Sequence, residues 1–316
     1  MRLLLAIDGS VHSASALEEL LARPWPEGTS CRAITVLEPQ TSLVVLAGDL
    51  GDMALRAQNA LEDDMRVALN EALTQLKEKF GADNVTGECT KGDPKTLIVE
   101  EAKKAGADMI IIGTRGSGAS PDDTWLGGVA RAVTLKAPCS VEVLQPDSAL
   151  SIEKKQQEKM AADDSRFLVA VSDEDNANQL VDSIMSRPWH PRSQFQILSV
   201  IPSMEQINHR KLFKDKDFQA LAQQTMDATR AKAETLVNAA AEKFKSKFPE
   251  DKITAHVLEG SPRNVILQVA QDWPADMIII GSHEHDTNVL EKLFGSTAAA
   301  VMGNAPCSVE VVKLKA

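Results

Sequence analysis

The chain is short of cysteine, of positive charge and of long apolar runs, and each shortage excludes a class of protein. Four cysteines among 316 residues, none in a Cys-x-x-Cys pair, build neither a disulfide framework nor a zinc knuckle and suit a reducing compartment. Lys plus Arg number 34 against 45 Asp plus Glu, a formal net charge of −11. The deficit is shared, because residues 1–146 carry 14 basic and 21 acidic side chains and the remainder 20 and 24. Neither half offers a basic face, so no nucleic acid and no membrane is expected as a partner. No run of about 18 apolar residues exists, and MRLLLAIDGS meets Asp8 before a signal-peptide core could be completed. A cytoplasmic location is therefore expected. Signatures of turnover are missing too: there is no G-x-S-x-G elbow, no Walker lysine in a glycine loop and no H-E-x-x-H helix. The chain is expected not to be an enzyme.

What is present is the balance of a globular protein, 43% hydrophobic and 25% charged, in a length that suits two domains. An internal repeat divides it. DMIIIG at 108–113 recurs at 276–281, and the same offset of 168 carries Gly92 onto Gly260, Gly127 onto Gly295 and APCSVEV at 137–143 onto 305–311. Nearer each start the offset is 164, where RPW at 23–25 recurs at 187–189. The expected organisation is a first domain over 1–146, a linker over 147–165, charged and nearly free of large apolar groups, and a second domain over 166–316.

Within the first copy the apolar runs are short and do not alternate: LLLAI at 3–7, AITVL at 33–37, MIII at 109–112 and SVEVL at 140–144. Such runs mark strands buried on both faces, which belong to parallel sheets covered by helices. Helical periods fill the gaps, at 13–22, through Met65, Leu69, Leu73, Leu76 and Phe80, from Pro94 to Gly106, and at 124–136. The fold class expected is α/β: two tandem doubly wound domains, each a five-stranded parallel sheet flanked by helices. We further expect the last strands of the two copies to pair about a pseudo-twofold axis, a pseudo-dimer within one chain.

In such a sheet ligands sit beyond the carboxyl ends of the strands, where strand order reverses. The residues there are Asp8, Gly9 and Ser10 after the first strand, Val36 and Leu37 at the end of the second, and Gly113 to Gly116 after the fourth, with Gly127 and Gly128 at the start of the last helix. Glycines allow close backbone approach, and a helix N-terminus favours a phosphate. Asp8 has a second reading, as the cap of the following helix. Cys139 and Cys307 read as small buried thiols. His283, Glu284, His285 and Asp286 look metal-like, but consecutive loop positions rarely converge on one ion, so no metal site is expected.

Taken together, AIDGS, the GDP at 92–94, ADMIIIGTRG at 107–116, LGG at 126–128 and APCSVEVL at 137–144 resemble the universal stress protein family, in a tandem arrangement. The resemblance covers nearly all of the chain outside the linker. It implies a stress-response role and a site for ATP, with magnesium as its companion, held through G-x-x-G-x9-G-[ST]. Carried over, Gly113, Gly116 and Gly127 meet the phosphates, Asp8 lies near ribose and metal, and Val36 meets the adenine. This sequence departs from the pattern. Ten residues, not nine, separate Gly116 from Gly127, and Gly128 stands where a hydroxyl is expected. Asp122 and Asp123 lie in the loop. The second copy keeps Gly281 and has Gly295-Ser296, but Glu284 replaces the middle glycine and Ser172, followed by Asp173, replaces the aspartate. Two functions stay open: a nucleotide sensor, with ATP in the first domain and no turnover, and a scaffold for a regulatory protein partner whose loop has decayed. Either admits a higher homo-oligomer.

Overall fold

The computed structural model describes residues 1–38, 51–116, 126–146, 164–203, 216–283 and 295–314. The chain divides into two compact units, Met1–Pro146 and Asp147–Ala316. In the first, the elements are β1 (Arg2–Ala6), α1 (Val11–Ala22), β2 (Ser30–Leu37), α2 (Gly51–Phe80), β3 (Val85–Lys91), α3 (Pro94–Ala105), β4 (Met109–Gly113), α4 (Gly128–Lys136) and β5 (Ser140–Leu144). Their strands lie in the order β3-β2-β1-β4-β5, and every pairing is parallel. The second unit repeats this with β6 (Arg166–Ala170), α5 (Glu174–Met185), β7 (Gln194–Ile201), α6 (Lys216–Lys245), β8 (Ile253–Glu259), α7 (Pro262–Asp272), β9 (Met277–His283), α8 (Ser296–Asn304) and β10 (Ser308–Leu314). Its own order is β8-β7-β6-β9-β10, again parallel. Each unit is thus an α/β domain whose strand order turns back beside its first strand.

Right-handed crossovers place α1 and α2 on one face of the first sheet and α3 and α4 on the other, and likewise α5 and α6 against α7 and α8. Covered on both sides, β1 and β4 can be apolar without interruption: Leu4, Leu5, Ile110 and Ile111 are fully buried. Edge strand β3 is different. Only Val85 of its seven residues is buried, which is why no apolar run announces it. Helix boundaries follow local chemistry. Asp93 caps α3 by accepting from the Lys95 amide, Pro94 opens it, and Gly106 closes it in the left-handed conformation at φ 57°. The expected helix at 124–136 begins four residues later, at Gly128, because Gly127 is extended and its N–H is bonded to the Thr114 carbonyl at 2.8 Å.

The repeated RPW and SVEV segments meet in space. In the first unit Arg23 forms a forked ion pair with Glu142 on β5, its Nη1 lying 2.9 Å from Oε2, and also holds Glu19 at 2.9 Å. In the second, Arg187 Nη2 lies 2.8 and 3.0 Å from the two oxygens of Glu310. Both glutamates are wholly buried. Burial opposes the charge on Arg23, but Glu142 and Glu19 outweigh it and raise its pKa. The neighbouring tryptophans close the same corners, Trp25 donating to the Leu20 carbonyl and Trp189 to that of Ile184. Of the expected thiols, Cys307 is buried but Cys139 is only half-buried, although each lies one residue before its strand. All four cysteines are free, and burial pushes the Cys31 thiol up to about 12.

Candidate functional site

The first unit holds a cavity of about 600 Å³ at the carboxyl ends of β1, β2 and β4. Asp8, Val36, Gly113, Gly116, Gly127 and Gly128 all line it. Its size is in the range of small-molecule sites. Helix α2 reaches over it with Gln58, Leu61, Glu62 and Met65, and α3 contributes Pro94 and Ile98. No sequence signal marked Gln58, Leu61 or Glu62, since the amphipathic period through which α2 enters serves the core equally well.

Each glycine has its own reason. A Cβ on Gly113 would stand 2.7 Å from the His12 carbonyl carbon and 2.8 Å from its Cβ, so the missing side chain admits the first turn of α1. A Cβ on Gly116 would stand 2.8 Å from Asp8 Oδ2, so the loop backbone runs beside that carboxylate. On Gly127 it would meet the Thr114 carbonyl at 2.9 Å. Because Gly127 spends its own N–H on Thr114, the amides aimed outward are those that follow it in the first turn of α4, where no side-chain cap is made. Gly128 is open: the nearest atom to an added Cβ is Lys95 Cε, at 3.8 Å. The fold therefore brings a lysine from the start of α3 beside the loop in which the sequence shows none.

Asp8 does not cap α1. The cap is Ser10, whose Oγ accepts from the Ser13 amide at 3.2 Å, while Asp8 Oδ1 receives the Ser10 amide at 3.0 Å and its hydroxyl at 2.6 Å. Behind the cavity wall, His12 Nδ1 and Thr114 Oγ1 are 2.9 Å apart. Burial, then the nearby Arg115, lower the His12 pKa, with Asp8 opposing them. Glu62 takes Lys91 at 2.8 Å and Gln58 at 3.2 Å, and the lysine hydrogen bond, against slight desolvation, holds its carboxyl below the usual range.

In the second unit the matching acid has another task. Asp173 is the N-cap of α5, accepting from the Asn176 amide at 3.1 Å and from the Asn176 side chain. A Cβ on Gly281 would meet only the Leu314 side chain, at 2.5 Å. Glu284, His285 and Asp286 lie outside the described residues, as do Asp122 and Asp123 of the first loop. Among the described residues no group of three or more His, Cys, Asp or Glu could hold a metal ion, and no helix is long and apolar enough to cross a membrane.

The Universal stress protein family matches this chain twice, over residues 1–145 and 165–313. The chain belongs to that family. Among curated universal stress proteins, YxiE of Bacillus subtilis is 27% identical over 150 residues, 46% of this chain and 98% of the relative. Universal stress protein A homolog 1 of Coxiella burnetii is 33% identical over 69 residues. The chain spans less than half the length of the two Coxiella burnetii relatives it matches, 45% and 37%. Among solved structures, a universal stress protein from Archaeoglobus fulgidus aligns over 99% of this chain and 96% of its own, with a TM-score of 0.54 and 16% identity. The functionally unknown protein PA1789 from Pseudomonas aeruginosa aligns over 99% of this chain and 92% of its own, with a TM-score of 0.58 and 16% identity. At such identities the likeness is one of fold.

Proposed function

We propose that the first unit of this universal stress protein binds ATP, with magnesium, and that the protein acts in the stress response as a sensor through occupancy rather than turnover. The observation that carries the reading is the convergence of Asp8, Val36 and the four loop glycines on one cavity that ends at the uncapped start of α4. The residues fit the group. Amides of the first α4 turn favour a polyphosphate, Lys95 stands beside Gly128, and Asp8 offers a carboxylate for a cation that would relieve its repulsion of the phosphates. Val36, with Ile34 and Ile98, supplies apolar surface for a base.

Turnover would need an oriented water and a group to accept its proton. Glu62, held below the ordinary carboxylate range by Lys91, is a weak base. His12 is tied to Thr114 and is not part of the cavity lining. Bound ATP accordingly persists, and its presence is the signal.

Calorimetry with ATP and magnesium tests both halves of the reading. Gly116→Val places a branched side chain against Asp8 and should weaken binding at least tenfold, whereas Glu284→Val should leave it unchanged. Equal heats for wild type and Gly116→Val would remove the site. Steady phosphate release abolished by Asp8→Ala would remove the claim of occupancy without turnover. Absence of any ATP binding would favour the scaffold reading.

A further inference from the structure

The second unit has a cavity of its own, of about 610 Å³, whose lining includes Ser172 and Val200, the counterparts of Asp8 and Val36, and extends from there along the inner faces of α5 and α6. It runs between α5 and α6 and over the end of β7. Its floor is Ala177, Val181, Ile201, Ala233, Leu236 and Ala240. Small residues open it: by the repeat offset, Ala233 stands where the first unit has the buried Met65.

The floor contains one polar group that the fold leaves unserved. Ser199 is only 3% exposed and lines the cavity. It lies on the β7 face that carries Phe195 against Phe244 of α6. Its counterpart, Thr35, donates to the Ile7 carbonyl at 2.9 Å. Among the described residues, the Ser199 hydroxyl has no hydrogen-bond partner. A hydroxyl that opens onto the cavity without a protein partner is available to a ligand atom or a water.

Charge at the rim is unevenly committed. Asp173 is taken up by the α5 cap, and Lys243 donates to Asn178 at 3.0 Å and to Asp182 at 3.2 Å. Lys232 makes no ion pair among the described residues, and Glu174 stands at the α5 end of the same rim. An apolar floor beside an ammonium that makes no ion pair among the described residues suits an amphipathic anion.

We propose that this α5–α6 groove is a ligand site for an amphipathic anion, its apolar body on Ile201, Ala233 and Leu236, its head at Lys232, and a polar atom of the molecule meeting Ser199. The site is independent of any nucleotide in the first unit. Dodecanoate, below its micelle-forming concentration, is the probe, added to the full-length protein and followed by calorimetry. One molecule should bind per chain, and dodecyltrimethylammonium should not compete. Lys232→Glu should weaken binding at least tenfold, and Glu174→Gln should strengthen it. Ala233→Met, which restores the first unit's residue, should abolish binding. Should that variant fail to fold, the exposed Ala239→Phe blocks the same groove without touching the core. Failure of dodecanoate to bind, equal binding by the groove-filled variants, or a gain on Lys232→Glu would each overturn the assignment.

Discussion

The two units share strand order, crossovers and buried ion pairs, yet they differ just beyond their first strands. In the first unit Gly9 adopts φ 76°, and a Cβ there would lie 3.7 Å from the Ala68 side chain, so the loop settles onto α2. Asp8 is then turned toward Gly116. In the second, Asp173 occupies the matching place in an extended conformation and caps α5 instead. One residue of side chain, and one left-handed glycine, thus decide whether a carboxylate faces the glycine loop or serves a helix end. A duplicated frame conserves what the sheet needs and leaves the space at its edge free to diverge.

The comparison can be broken most forcefully at the ion pairs. Glu310→Ala leaves Arg187 buried without its acid, which should cost about 3–5 kcal/mol. Glu142→Ala should cost less, because Arg23 keeps Glu19. Denaturant unfolding of both variants checks this, and equal losses would mean that Glu19 contributes nothing. A smaller effect should separate the glycines. Gly113→Ala drives a Cβ into the backbone of His12 and should cost about 1–3 kcal/mol. Gly281→Ala meets only the end of the Leu314 side chain, which can turn aside, so its loss should be the lesser one. If the order reverses, α1 is not held against β4 as described.

The finest test uses pH. His12 has its pKa lowered by burial and Arg115, so the folded state disfavours its proton relative to the unfolded chain. Its stabilising share is complete above the ordinary value of 6.5 and is lost as pH falls from there through the lowered folded value. The equivalent position in the second unit is Asn176, which does not titrate. His12→Asn should therefore flatten the fall in melting temperature between neutral and mildly acidic pH, and an unchanged slope would assign that fall to other groups. Smaller still, Gly128→Ser has room beside Lys95. It should leave stability within about 0.5 kcal/mol and, on the proposed reading, tighten ATP binding.

Much of this was legible in the residues. Unbroken apolar runs require burial on both faces, so β1, β2, β4 and β5 and the α/β class follow from the chain alone. The repeat follows from identity at fixed offsets. Asp8, Val36 and the loop glycines were readable as one end of a sheet, because parallel strands place their carboxyl ends together. Edge strand β3 was not, since a strand buried on few positions carries no apolar signature. Nor was the work of individual groups. That Gly113 makes room for His12, that Ser10 rather than Asp8 caps α1, and that Lys95 arrives beside Gly128 are contacts between segments distant in the chain or between competing local donors. Only packing decides them. The pairing of RPW with SVEV belongs there too: the motifs are visible as repeats, but that one supplies the cation for the other's buried carboxylate depends on α1 crossing toward β5. Local chemistry determines which elements form and in what order. The chemistry of each site is decided by which side chains the sheet brings within hydrogen-bond reach of one another.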